Sequence, residues 1–213
     1  MNIVIVGGGT VGHFGNDFVR KAKADGHNVR VLSHRTSKDT DERINFLDIQ
    51  SSVDKFNSIT EDFGSIDIFL YNSVYNGTPN EPKQFTSKGE FSEKLYLYGF
   101  YVNVVMPHRL SIEALKKMDH TSKILFMTTD VIYDRERTEN LHKLSYYGGK
   151  AYQHQLMLAL ADCNDKDATV SSISPYFNYE DRAEYKKAFN EVCAHVFGIT
   201  KNGKVFDCWN SYA

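Results

Sequence analysis

Apolar and polar positions alternate along the chain in two registers. Short, almost unbroken apolar runs predict strands at Asn2–Gly7, Asn28–Ser33, Arg43–Asp48, Ile66–Tyr71, Lys123–Thr128, Thr169–Ser174 and Lys204–Asp207. Runs of this kind suit strands covered on both faces, as in a parallel sheet. Between them, longer amphipathic stretches predict helices at Gly12–Ala24, Ser52–Phe63, Lys88–Lys117, Tyr146–Ala161 and Asp181–Phe197, the third broken near Pro107. Strand–helix alternation over the whole length implies one doubly wound α/β domain, residues 1–213, with right-handed crossovers and a mostly parallel sheet of about seven strands. Ligands of such sheets bind beyond the carboxyl ends of the strands, so residues just after each strand are the ones to read for chemistry.

The first strand runs into Gly7-Gly8-Gly9-Thr10-Val11-Gly12-His13-Phe14-Gly15. Gly7, Gly9 and Gly12 satisfy G-x-G-x-x-G, and Gly9, Gly12 and Gly15 satisfy G-x-x-G-x-x-G. Between a strand and a helix, such a turn lets backbone approach a pyrophosphate and aims a helix N-terminus at it, which is the dinucleotide fingerprint of a Rossmann fold. The backbone at Thr10 and Val11 belongs to the same cradle. The second strand ends in Ser33-His34-Arg35, where an NAD site usually carries Asp or Glu for the ribose hydroxyls. A hydroxyl followed by a guanidinium suits the extra phosphate of NADP(H), which is expected to be preferred over NAD(H).

With these segments placed, the chain resembles the short-chain dehydrogenase/reductase family over nearly its full length. The landmarks fall in order: the glycine turn, Asp48-Ile49 after the third strand, Leu70-Tyr71-Asn72-Ser73 after the fourth, Asn103 in the long helix, Thr128-Thr129 after the fifth strand, Tyr146-Tyr147-Gly148-Gly149-Lys150 as Y-x-x-x-K, and Ile173-Ser174-Pro175-Tyr176 after the sixth. The resemblance implies a catalytic set of Asn103, Thr129, Tyr146 and Lys150. Tyr146 would exchange a proton with the substrate oxygen, Lys150 would hold the nicotinamide ribose and favour the phenolate, and Thr129 would polarise the carbonyl. Asn103 would hold a water linking Lys150 to solvent. Asp48 and Ile49 would contact adenine, and Asn72, Ser73, Pro175 and Tyr176 would complete the cofactor site. Tyr176 stands where the family has glycine, Thr129 where it commonly has serine, and Ser73-Val74 where it has Ala-Gly.

The implied activity is NADP-dependent hydride transfer to or from a small carbonyl or alcohol. Two alternatives stay open: a non-catalytic NADP-binding sensor on the same fold, and a nucleotide-sugar reductase or epimerase. For the latter, Thr128-Thr129-Asp130 with Tyr133-Asp134 resembles the Ser-Thr-Asp…Phe-Asp segment of dTDP-4-dehydrorhamnose reductases. Those enzymes carry a longer C-terminal substrate region.

Composition narrows the partners. A net charge of −2 leaves no global footprint for nucleic acid. No apolar run approaches the ~20 residues of a membrane span, and no secretory leader is seen. Cys163, Cys193 and Cys208 have no metal-ligand spacing and leave one thiol unpaired in any disulfide scheme, which fits a reducing cytoplasm. No metal site is expected. The helices bearing Asn103 and Tyr146 offer apolar groups (Tyr96, Phe100, Leu110; Tyr152, Leu156, Leu158, Leu160), so pairing through them into a homodimer or homotetramer is expected.

Overall fold

The computed structural model describes residues 1–10, 13–75, 92–129, 144–175, 180–198 and 201–207. Seven strands among them form one parallel sheet in the order β3-β2-β1-β4-β5-β6-β7. They are β1 (Asn2–Val6), β2 (Asn28–Ser33), β3 (Glu42–Arg43), β4 (Ile68–Tyr71), β5 (Lys123–Met127), β6 (Thr169–Ser174) and β7 (Lys204–Asp207). The helices are α1 (Phe14–Ala24), α2 (Ile49–Ile59), α3 (Glu93–Phe100), α4 (Met106–Leu115), α5 (Leu144–Cys163) and α6 (Arg182–Phe197), with a π-helical segment, Tyr101–Val105, joining α3 to α4. The strand order reverses between β1 and β4, so that is the switch point.

Two cores flank the sheet. On one face Val4, Phe69, Tyr71 and Phe126 pack with Phe56 of α2, Leu110 of α4 and Met157 of α5. On the other, Ile3, Ile5 and Leu125 pack with Phe14 and Phe18 of α1 and Val192 of α6. Every residue of β4 is buried, which explains the unbroken apolar run that predicted it.

Three expectations change. The third strand shrinks to Glu42–Arg43, because β2 ends at Ser33 and offers only Leu32 and Ser33 as ladder partners. The residues beyond, Ile44 and Phe46, remain buried as core without a neighbouring strand. Helix α2 starts earlier than Ser52, because Asp48 caps it, accepting from Ser51 N at 3.1 Å. The long helix does not break at Pro107; it widens into the π segment just before it.

That widening is chemically ordered. Met106 N–H donates to Tyr101 O, one residue beyond the α-helical pattern, so Val102 O loses its α-helical donor. Its next donor along the chain would be residue 107, and proline has no N–H. Tyr71 Oη supplies the missing donor at 2.5 Å. Asn103 O also loses its α-helical donor to Pro107, and Gln153 Nε2 of α5 replaces it at 2.9 Å.

The faces expected at an interface divide differently. Leu110 and Leu156 face the core, and Leu158 and Leu160 are half-buried against it. The outward side of α5 carries Ala151, Gln155 and Ala159 instead, beside exposed Leu97 and Phe100 of α3. No helix among the described residues is long and apolar enough to cross a membrane.

Candidate active site

Three cavities run side by side along the carboxyl ends of the strands. The middle one, about 380 Å³, is walled by Gly7 and Thr10 after β1, Ser33, His34 and Arg35 at the end of β2, and Asn72, Ser73 and Val74 after β4. The first, about 420 Å³, shares His34, Arg35 and Val74 and adds Phe46, Leu47, Tyr75, Lys94 and Tyr98. The third, about 360 Å³, shares His13, Asn72 and Val74 with the middle one and reaches Thr128, Thr129, Tyr146, Lys150 and Pro175. Val74 lines all three, so they form one continuous cleft across the switch point.

The glycines shape the middle cavity by what they omit. Gly7 has φ +102°, and a Cβ there would lie 2.6 Å from Ser73 N. A Cβ on Gly9 would meet Ser33 Oγ at 2.5 Å and Arg35 O at 2.6 Å. Asn72 Nδ2 donates to Gly7 O at 2.9 Å, tying the loop after β4 to the turn after β1. Asn16 Nδ2, at the start of α1, donates to Gly8 O at 3.3 Å and to Asp39 Oδ2 at 3.1 Å, anchoring the loop that carries Arg35. Ser33 Oγ accepts from Arg35 N at 3.2 Å. Arg35 is exposed, and burial together with Arg35 and Arg43 holds the His34 imidazolium below its usual range.

In the third cavity, Tyr146 and Lys150 share a face of α5, one turn apart. Lys150 is buried; its Nζ donates to Met127 O and, at 3.0 Å, to Gln153 Oε1. Burial pushes its ammonium down to about 7. Asn103 is fully buried, and both ends of its side-chain amide are taken by the backbone of Tyr75: Tyr75 N donates to Oδ1 at 3.0 Å and Nδ2 donates to Tyr75 O at 2.8 Å. Its main-chain oxygen accepts from Gln153 Nε2. Gly149 makes this junction possible, since a Cβ there would fall 2.3 Å from Asn103 Cβ.

Of the residues singled out in the sequence, Gly7, Thr10, Ser33, His34, Arg35, Asn72, Ser73, Thr129, Tyr146, Lys150 and Pro175 line this cleft. Asn103 lies behind it. Gly9 lies behind Ser33 and Arg35. Asp48 and Ile49 do not line it: Asp48 caps α2, Ile49 packs on the core, and Phe46 and Leu47 form that wall. Val11, Gly12 and Tyr176, with Asp130, Tyr133 and Asp134, lie outside the described residues. Sequence reasoning passed over Gln153, whose only signal was a polar residue on the inward side of a helix that otherwise buries Leu156 and Met157 there.

An oxidoreductase of the short-chain dehydrogenase/reductase class from Brucella ovis superposes with a TM-score of 0.76 at 14% identity, covering 97% of this chain and 98% of that one. The structure of BdcA in complex with NADPH gives 0.74 at 19% identity, covering 97% and 91%. A mutant Serratia marcescens short-chain dehydrogenase/reductase gives 0.74 at 15% identity, covering 97% and 94%. The fold is that of the short-chain dehydrogenases/reductases. No protein-family model and no curated protein matches the sequence. Within the short-chain dehydrogenase/reductase fold, the cleft described above lies at the switch point, where α/β sheets of this kind bind nucleotides.

The residues present fit a nicotinamide dinucleotide. At Gly7 and Gly9 the missing Cβ lets the turn pack closely against Ser73, Ser33 and Arg35, which wall the middle cavity. Thr128 lines the third cavity, and among the described residues its buried Oγ1 has no hydrogen-bond partner. Among the described residues no group of His, Cys, Asp and Glu is arranged to hold a metal ion.

Proposed function

We propose that the protein is an NADP(H)-dependent short-chain oxidoreductase acting on a small carbonyl or alcohol substrate. The observation that carries this reading is the gathering of Thr129, Tyr146 and Lys150 around one cavity that opens into the glycine-walled cavity. When bound, the dinucleotide supplies or accepts the hydride. The chain's own residues bind, orient and move the proton. The turn around Gly7 and Thr10, with the first turn of α1 behind it, would hold the pyrophosphate. Lys150 would hold the nicotinamide ribose and keep positive charge near Tyr146. Tyr146 would give a proton to the substrate oxygen during reduction and take it back during oxidation. The Thr129 hydroxyl would orient that oxygen.

The dimension that separates NADP(H) from NAD(H) is the end of β2. Ser33, His34 and Arg35 wall the cavity there without a carboxylate, and an exposed guanidinium pairs well with a phosphate. The Arg35→Ala variant is expected to bind NADPH about tenfold more weakly, ~1.4 kcal/mol, with NADH affinity unchanged. Fluorescence titration of both dinucleotides checks this; a parent that prefers NADH overturns the preference.

The same reading includes a single domain, a reducing cytoplasmic setting for the free thiols of Cys163 and Cys193, and a homodimer. The dimer argument rests on Leu97 and Phe100, 41% and 40% exposed, beside the small outward residues of α5. Phe100→Asp is expected to halve the mass seen by light scattering. A parent that is already monomeric at micromolar concentration refutes the pairing.

A further inference from the structure

A polar bridge lies directly behind the candidate active site. Gln153 is 0% exposed, yet both ends of its side chain are engaged. Its carbonyl accepts from Lys150 Nζ at 3.0 Å, and its amide donates to Asn103 O at 2.9 Å. That second acceptor is available because Pro107 provides no N–H for it. The bridge is short enough to close because Gly149 lets α5 press onto Asn103. Proline, glycine and glutamine on two helices thus build one device, and its free end holds the lysine of the site.

We propose that Gln153 is a positioning residue for Lys150, latching its ammonium between the π segment and the end of β5 and setting the balance between its charged and neutral forms. The inference rests on the oxidoreductase reading for its consequence, because only there does the charge on Lys150 govern Tyr146. The physical argument is one of compensation. A buried ammonium is disfavoured unless acceptors surround it. Lys150 has two in hand, Met127 O and Gln153 Oε1. Removing the second leaves the charge with one, and also strands the Asn103 carbonyl.

No carboxylate among the described residues lines the cavity of Lys150. Its titratable surroundings are His13 across the cavity, Tyr146 and His154 one turn to either side on α5, Tyr71 and Tyr98 behind the π segment, and His108 on α4, bonded to Tyr152. Glu113, further along α4, is paired with Arg109 and Lys116. Gln153 is therefore the group in contact with Nζ whose replacement introduces or removes polarity without changing side-chain length much.

The test is a titration of the protein without dinucleotide, following the Cε carbon signal of Lys150 by NMR in lysine-labelled protein and assigning it with Lys150→Arg. Burial places the parent midpoint at about 7. Gln153→Glu sets a carboxylate beside Nζ and is expected to raise the midpoint by roughly 1–3 units. Gln153→Met, close in size and without an acceptor, is expected to lower it. If one variant does not fold, the other still decides. In the pH profile of NADPH turnover, the limb on which activity falls as Lys150 loses its proton should keep the same order: Met, parent, Glu, from acid to alkaline. Variants that titrate with the parent overturn the role of Gln153 and leave the oxidoreductase reading standing. A parent that titrates as expected but binds no dinucleotide overturns that reading, and with it the catalytic consequence.

Discussion

Tyr146→Phe is expected to lower turnover by about 10²–10⁴-fold while dinucleotide affinity stays close to that of the parent. The ring, with its packing against Tyr147 at 5.3 Å between centroids, remains. Only the oxygen proposed to exchange a proton is lost. The phenol of Tyr146 lines the same cavity as Thr129 and Lys150, and no carboxylate among the described residues of that cavity can take its place. Steady-state kinetics with a reducible aldehyde or ketone panel, together with NADPH titration, measure both halves of the expectation. Near-parent turnover with the phenylalanine variant would show that the proton moves through another group.

Gly149→Ala is expected to damage the site more broadly. A Cβ at this position falls 2.3 Å from Asn103 Cβ, inside any tolerable contact, and the neighbour is held from several sides. Helix α5 must therefore move away from the π segment, taking Tyr146 and Lys150 with it. Overpacking of this kind costs about 1–3 kcal/mol in stability. A displacement near 1 Å at reacting groups costs on the order of 10²-fold in rate. The adjacent Gly148 supplies the control, since a Cβ there meets nothing within 4 Å. Gly148→Ala should gain roughly 0.5–1 kcal/mol from helix propensity. Urea unfolding and turnover of the pair decide the matter; equal behaviour of the two variants would refute the close approach.

The parts of this molecule that were legible in the sequence are those written in local pattern. Buried strands such as Ile68–Tyr71 announce themselves as apolar runs, and the glycine turn sits where a strand gives way to a helix. The boundaries that moved were decided by partners distant in sequence or by caps. The third strand stops because its neighbour β2 stops, and α2 begins where Asp48 can cap it. At the candidate site, residues after strand ends line one cleft because a parallel sheet delivers all those ends to one side. Phe46 and Leu47, just before the Asp48 cap, line the first cavity and carry no polar group that would single them out in the sequence. Gln153 was missed because its meaning depends on an oxygen fifty residues earlier and on the absent N–H of Pro107. No local pattern encodes such a pairing.

The segment after β4 carries a thermodynamic consequence for ligand association. It is fastened at both ends to the π segment, by the Tyr71 hydroxyl on Val102 O and by the Tyr75 backbone on the Asn103 amide, and in the middle to Gly7 by Asn72. Asn72 and Val74, which line the cleft, thus lie in a span whose backbone freedom is surrendered on folding. Ordering a loose segment at the moment of binding costs ~1–2 kcal/mol per residue in backbone entropy. Here that loss is charged to the stability of the fold, so a ligand meets a wall already in place and keeps the full value of its contacts. Association along this stretch of the cleft is then a docking event.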